Sequence, residues 1–230
     1  MFGFLKRLFG GGSSDSASDT PLDPAQQAAE EAEAQAWYDQ KSKVLESILG
    51  PEHDMVMHAI MPYGIGGALD LYYYPHGIEG TAVATKELTE VPEESPSNAI
   101  YQRYELVMFT RHPLDLDKAR DESSPFGAAH CNINLLLNHI ARYAQMATLN
   151  PNETCEFPQE MDDVGGKCLV FDTYAPKGAV LDGDLGLVLV IEIFRDEMDW
   201  ARENGGAKLI GRLRDAGHYP YSDMDREPVV

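Results

Sequence analysis

Histidines, cysteines and paired carboxylates are the side chains here that could hold a metal ion or attack a substrate, and their spacing supplies neither chemistry. A metal site needs such groups to converge, yet there is no Cys-x-x-Cys, no His-x-x-x-His and no His-Glu-x-x-His. His130 and His139 fall in one predicted helix. At roughly 3.6 residues per turn their rings point about 180° apart, so they cannot share an ion. Cys131 follows His130 directly, and adjacent helical residues diverge by about 100°, which is wrong for the hydrogen-bonded pair that activates a thiol. Tyr63-Gly-Ile-Gly-Gly-Ala68 has the glycines of a phosphate-cradling loop but no Gly-Lys-Ser/Thr, and it leads into a strand, so it reads as a turn. No Gly-x-Ser-x-Gly elbow occurs. The acidic pairs Asp162-Asp163, Asp182 with Asp184, and Asp223 with Asp225 lack the further ligands of a calcium loop and read as solvated turns. We therefore expect no catalytic residue, no metal and no cofactor. The opposing reading is a hydrolase or metal-dependent enzyme built from scattered carboxylates and His130, His139 or His218. It requires a pocket that brings those groups together.

Charge is more informative. The 230 residues carry a formal net charge of −20 and a pI near 4.5. Nucleic acid is disfavoured, because a phosphate backbone is bound by clustered Lys and Arg; a basic protein is the natural complement. A hydrophobic content of 43% is enough for one substantial core. Three cysteines, Cys131, Cys155 and Cys168, leave at least one unpaired and form no disulfide framework, which points to a reducing compartment and a cytoplasmic protein. No run reaches the roughly 18 apolar residues of a membrane span. Met1-Phe-Gly-Phe-Leu-Lys-Arg-Leu-Phe-Gly10 has the composition of a short interfacial membrane helix, but so short a helix barely nucleates in water, and a frayed terminus is the preferred reading.

Residues 1–20, rich in Gly, Ser, Asp and Ala after Gly10, are expected to be a flexible terminal segment and linker; residues 21–230 are expected to fold as one domain. Asp23-Pro24 supplies the N-cap and first-turn proline of a helix that Gly50-Pro51 ends, docked through Trp37, Val44, Leu45, Ile48 and Leu49. Met55–Met61, Ala68–Pro75 and Gly80–Leu88 read as strands, the last two a hairpin across Pro75-His-Gly-Ile-Glu-Gly80. Alternation in the second strand puts Leu69, Leu71 and Tyr73 on one face and Asp70, Tyr72 and Tyr74 on the other. Tyr101–Thr110 is another strand. From Phe126 to Leu149, Ile133, Leu136, Leu137, Ile140, Tyr143, Ala144 and Ala147 recur at helical spacing, and an irregular acidic stretch follows. Lys167–Tyr174 and Leu185–Phe194 are late strands; Asp196–Asn204 and Ala207–Ala216 are closing helices. This irregular interleaving predicts an α+β fold with a mixed, largely antiparallel sheet flanked by helices, not a doubly wound one.

Three blocks occur in a fixed order. The first is the strand ending at Thr85, followed by Lys86-Glu87-Leu88-Thr89; the second is Tyr104-Glu105-Leu106-Val107-Met108 with Leu136-Leu137 and Ala141-Arg142-Tyr143 after it; the third is Ile193, Glu197, Gly205, Leu209, Leu213 and Arg226. Together, over about Met55 to Arg226, they resemble the suppressor of fused domain family. That family has a Thr-x-Gly-Met-Ser turn in the first block. Here Glu87 stands in place of the glycine, Leu88 of the methionine and Thr89 of the serine, a departure that bears on the turn, since glycine is the residue for positive φ.

The resemblance implies a SUFU-like fold and a protein that binds other proteins without catalysis. Animal members sequester transcription factors of the Hedgehog pathway, and bacterial members look like immunity proteins that neutralise toxins. The absence of the animal proteins' long additional C-terminal region favours the bacterial reading. Thr85, Glu105, Glu197 and Arg226 are then family-motif residues with structural roles. Buried glutamates need partners and a guanidinium can bind a carboxylate bidentately, so Glu197 would offset the positive end of its helix and Arg226 would pin the tail. We expect an immunity-type module that holds a protein partner, such as a basic toxin, through an acidic surface, with Tyr72 and Tyr74 as aromatic anchors on an open sheet face. Burial of these tyrosines beneath a helix is the competing reading. A membrane-tethered adaptor using residues 1–10 is a further alternative.

Overall fold

The computed structural model describes residues 23–175 and 184–230. The linker and membrane readings of residues 1–20, and Asp182 of one acidic pair, lie outside them. The first helix, α1 (Pro24–Leu49), begins where the Asp23 carboxylate accepts from Ala25 N at 3.3 Å, and ends at Gly50, whose φ of 85° suits glycine. Its polar first half is exposed. Lys41, Leu45 and Leu49 recur every fourth residue, and this stripe is buried.

After α1 come strands β1 (Val56–Met57), β2 (Leu71–Tyr74), β3 (Thr81–Ala84) and β4 (Arg103–Thr110), helix α2 (Pro125–Ala144), strands β5 (Thr154–Glu156), β6 (Cys168–Thr173) and β7 (Leu185–Ile193), and helices α3 (Arg195–Asn204) and α4 (Gly206–Asp215). The strands form one sheet in the order β1-β2-β3-β4-β7-β6-β5. Only the β4–β7 pair is parallel; the other neighbouring pairs are antiparallel. The fold is therefore α+β with a mixed, largely antiparallel sheet, as the sequence predicts.

Helices cover both faces of the sheet. On one face Leu71, Tyr73, Leu106, Met108 and Val190 pack with Ile133, Leu136, Leu137 and Ile140 of α2. On the other, Tyr72, Tyr74, Val107, Leu189 and Ile191 pack with Leu45 and Leu49 of α1, Met198 of α3 and Leu209 and Leu213 of α4. All nine residues of β7 are consequently buried, the pattern of a strand covered on two sides. Gly186 in β7 is needed for close approach: a Cβ there would meet Tyr101 Cε1 at 2.1 Å.

Two expectations are corrected. Tyr72 and Tyr74 do not present an open aromatic face; they are 6% and 1% exposed. They stand opposite Ala84 and Ala82 in the β2–β3 register, and those small residues leave room for the rings beneath α1. The stretch after α2 is not wholly irregular, because Thr154–Glu156 forms β5, a short polar edge strand paired with β6.

Candidate functional site

Strand β4 carries a glutamate into the core. Alternation places Glu105 on the same face as Val107 and Phe109, under α1, where it is fully buried. A carboxylate there must be met by donors, and the turn after β3 supplies them. Thr85 Oγ1 donates to Oε2 at 2.6 Å, Thr89 Oγ1 and Thr89 N donate to Oε1 at 2.6 and 2.9 Å, and Leu88 N donates to Oε2 at 3.3 Å. Thr85 Oγ1 in turn accepts from Leu106 N at 3.0 Å. From α1, Lys41 Nζ stands 4.0 Å from Glu105 Oε1 and donates to the Lys86 carbonyl, while Trp37 Nε1 donates to Thr89 O at 2.6 Å. Hydroxyls at 85 and 89 are thus the chemical requirement, which threonine and serine both meet. Glu87 in place of glycine does not force a strained turn: among the described residues the non-glycine positions with positive φ are Asn152 and Asp163.

The tied turn forms one wall of a cleft of about 320 Å³, closed by α1 and by the loop through His58, Pro62 and Tyr63. Its lining includes the rings of Trp37, Tyr38, Tyr63 and Tyr72 and the carboxylates of Asp70 and Glu87. Lys86 is buried along one side. Its Nζ donates to Ser42 Oγ at 2.9 Å, pairs with Glu52, and sits 4.7 and 4.4 Å from the Tyr38 and Tyr72 ring centroids, in cation–π geometry. Asp70 holds His58 Nδ1 at 2.7 Å and accepts from Ala59 N at 2.8 Å. Glu87 is half-buried and, among the described residues, accepts only from backbone, from Asp70 N at 3.2 Å and Lys86 N at 3.3 Å. Burial first, then the neighbouring charges of Glu105 and Asp70, push its pKa up to about 8. Tyr63 is 5% exposed, and its hydroxyl is buried without a hydrogen-bond partner among the described residues; burial pushes its pKa up to about 12. Ile60 and Met61, which precede the lining residue Pro62 in the chain, are exposed. The cleft therefore combines aromatic walls with carboxylates, the His58–Asp70 pair and two buried lysines.

At the far end of the chain, Glu197 and Arg226 meet. Glu197 is fully buried, and Arg226 Nη1 and Nη2 reach its Oε1 and Oε2 at 2.6 and 2.8 Å, a bidentate pair completed by Phe194 N at 2.9 Å and Val229 N at 3.0 Å. Burial alone would raise the Glu197 pKa, but the bonds from Arg226, Phe194 N and Val229 N outweigh it and hold it below the usual value. This clamp fixes the C-terminal tail against α3.

The other residues flagged by the sequence stay apart. His130 is buried, with Nδ1 donating to Ala119 O at 2.8 Å and Nε2 accepting from Tyr73 Oη at 2.9 Å; burial lowers its pKa, so it is a neutral core histidine. His139 bonds Leu135 O at 2.9 Å on its own helix, and His218 lies 3.2 Å from Arg111 Nη2. Burial pushes the Cys131 thiol up. Asp223 accepts from Thr110 Oγ1 and from Arg111 N, and Asp184 pairs with Arg103 at 3.2 Å. Among the described residues, no group of three or more His, Cys, Asp and Glu side chains could hold a metal ion. The sequence reading missed the cleft around Glu87. The signals were faint: a glutamate where the similar turn has glycine, and Asp70 sharing a strand face with Tyr72.

The family Suppressor of fused protein (SUFU) matches residues 69–227, a span that includes Thr85, Glu105, Glu197 and Arg226. A chain of the Sufu–Fu complex crystal structure superposes with a TM-score of 0.55 at 16% identity, covering 85% of this chain and 91% of that one. The crystal structure of Drosophila Suppressor of Fused gives a TM-score of 0.51 at 15% identity, covering 91% of this chain and 54% of that one, so this chain spans about half its length. No curated protein matches in sequence.

Proposed function

This chain belongs to the suppressor of fused family, and from that premise we propose that it is a non-enzymatic protein-binding module that holds a partner protein through its acidic surface. The observation that carries the reading is the family match, which runs from β2 to the C-terminal clamp. A structurally similar chain comes from a Sufu–Fu complex, which supports a protein as the partner. The net charge of −20 supports a basic one, since complementary charge accelerates encounter and penalises wrong partners. Neutralisation or sequestration of a basic protein such as a toxin, as an immunity-type protein of a bacterium, is the specific role we assign. Three free thiols, Cys131, Cys155 and Cys168, favour a reducing, cytoplasmic setting. The binding unit we assign is residues 21–230.

The test is affinity capture from the native organism at moderate salt, with the full chain and with a chain lacking residues 1–20, read by mass spectrometry for stoichiometric partners. One basic protein recovered with both is the expected result. Absence of any stoichiometric protein overturns the reading, and recovery of lipid alone with the full chain replaces it with a membrane adaptor.

A further inference from the structure

Resting on the protein-binding reading, we infer that the cleft between α1 and the 85–89 turn is a subsite for an arginine side chain of the partner, with Glu87 as its counter-charge and Tyr63 Oη as a second contact. Two polar groups at this cleft lack what they need. Glu87 makes no ion pair among the described residues and accepts only backbone N–H groups. Tyr63 Oη, in a side chain 5% exposed, has no hydrogen-bond partner among the described residues. The lysines that line the cleft are committed elsewhere, Lys41 to the Lys86 carbonyl and Glu105, and Lys86 to Glu52 and Ser42. Neither lysine forms an ion pair with Glu87, although the charge of Lys41 partly offsets its raised pKa.

A guanidinium fits this deficit better than other groups. It carries five donors in a planar fork, can serve a carboxylate and a hydroxyl at once, and stacks on aromatic faces. The fold already uses these rings in that way: Arg103 lies 5.5 Å from the Trp37 centroid and Arg142 5.0 Å from the Tyr63 centroid. At about 320 Å³ the cleft is at the small end of ligand sites, sized for one long side chain. Ile60 and Met61, exposed and next in the chain before the lining residue Pro62, offer apolar surface to residues flanking that arginine.

Binding is linked to protons. The groups facing Glu87 are Glu105 from β4, Asp70 from the approach to β2, holding His58, Lys41 from α1 and the Lys86 N–H of its own turn. Glu31 and Glu90 also line the cleft. In the free protein Glu87 is mostly protonated at neutral pH, so an arriving guanidinium displaces a proton to the solvent and binds more tightly as pH rises towards 8.

The probe is the capped tripeptide acetyl-Leu-Arg-Leu-amide, with a neutral counterpart carrying citrulline for arginine, titrated into the full ¹⁵N-labelled chain. The chain has two tryptophans. Trp37 lines the cleft, while Trp200 lies on α3 against Arg212 and serves as an internal reference. The arginine peptide is expected to shift the Trp37 indole resonance saturably and leave Trp200 unmoved; the citrulline peptide is expected to do neither. Glu87→Gln should weaken binding about tenfold through loss of the charge-assisted bond. Tyr63→Phe removes no existing hydrogen bond, so it should weaken binding a few-fold without lowering the melting temperature. Wild-type affinity should rise by about tenfold per pH unit below pH 8 and level off above it, whereas Glu87→Gln should show no such slope. Equal binding of the citrulline peptide, an unmoved Trp37 resonance, or undiminished affinity in Glu87→Gln overturns the inference. Capture of the native partner with wild-type and Glu87→Gln chains in parallel separates the two levels. A partner held equally by both overturns the arginine subsite and leaves protein binding standing; no partner with either overturns protein binding itself.

Discussion

Glu105→Gln is the most informative change to the scaffold of the cleft, because it keeps volume and alters only charge and one acceptor. In the wild type four donors converge on the carboxylate, Thr85 Oγ1, Leu88 N, Thr89 N and Thr89 Oγ1, with Lys41 Nζ at 4.0 Å. A glutamine can keep both Thr89 donors on its oxygen, and the Thr85 hydroxyl can rotate to accept from its amide. Leu88 N then faces an N–H, an unmet buried donor worth about 1–3 kcal/mol. Lys41, 2% exposed, loses its counter-charge; breaking a buried pair from one side costs about 3–5 kcal/mol, and the two effects overlap. We expect a total loss of about 3–5 kcal/mol, which at about 2–4 °C per kcal/mol in a chain of this size lowers Tm by about 10 °C. Urea unfolding followed by tryptophan fluorescence and far-UV circular dichroism measures it. Adding Lys41→Met removes the stranded cation, so the double variant should lose about 1–2 kcal/mol less than the sum of the singles. A loss under about 1 kcal/mol, or strict additivity with Lys41→Met, refutes the assignment of Glu105 as the group that ties the turn to α1.

Three other outcomes follow from the same geometry. Arg226→Met leaves Glu197 buried with only backbone donors and should cost about 3–5 kcal/mol; Glu197→Leu/Arg226→Met removes the stranded charge but leaves Phe194 N and Val229 N without their acceptor, so it should regain only part of that, as read by urea unfolding. The Glu197 pKa is depressed in the fold, so its stabilisation is complete above the ordinary carboxylate pKa and is lost as pH falls from about 4.5 through the depressed value; acid unfolding should be shallower in Glu197→Gln. Glu87 has the opposite sign, raised to about 8, so its destabilisation of the free chain grows from about pH 4.5 to pH 8. Glu87→Gln should therefore raise Tm, and raise it more at pH 8 than at pH 5, in differential scanning calorimetry.

Much of the scaffold is legible because local rules govern it. Asp23-Pro24 and Gly50 bound α1 as their side chains and backbone preferences dictate, and the period-two alternation in β2 assigns Leu71 and Tyr73 to one face and Tyr72 and Tyr74 to the other. What covers each face is a long-range fact. The run Leu71–Tyr74 looks the same whether one face meets water or α1, so the burial of Tyr72 and Tyr74 could not be read from the strand itself. The parallel β4–β7 pairing joins segments separated by α2, β5 and β6, and no local signal encodes that register. β5 has three residues, too few for alternation to register. The motif glutamates needed partners if buried, and both have them, Glu105 in Thr85, Leu88 and Thr89, and Glu197 in Arg226. The cleft escaped notice because its walls come from four separate segments, around residues 31–41, 58–64, 70–72 and 86–90, and Glu87 is unusual only for what its surroundings withhold.

The central claim is that this chain binds a protein and leaves it chemically unchanged. The direct measurement is native mass spectrometry of the chain with its captured partner at low and moderate salt, followed by intact mass analysis of the partner after prolonged incubation. The account predicts a stoichiometric complex that weakens as ionic strength rises, with the partner's mass unaltered. A partner released with a changed mass, or no complex at either salt, contradicts it.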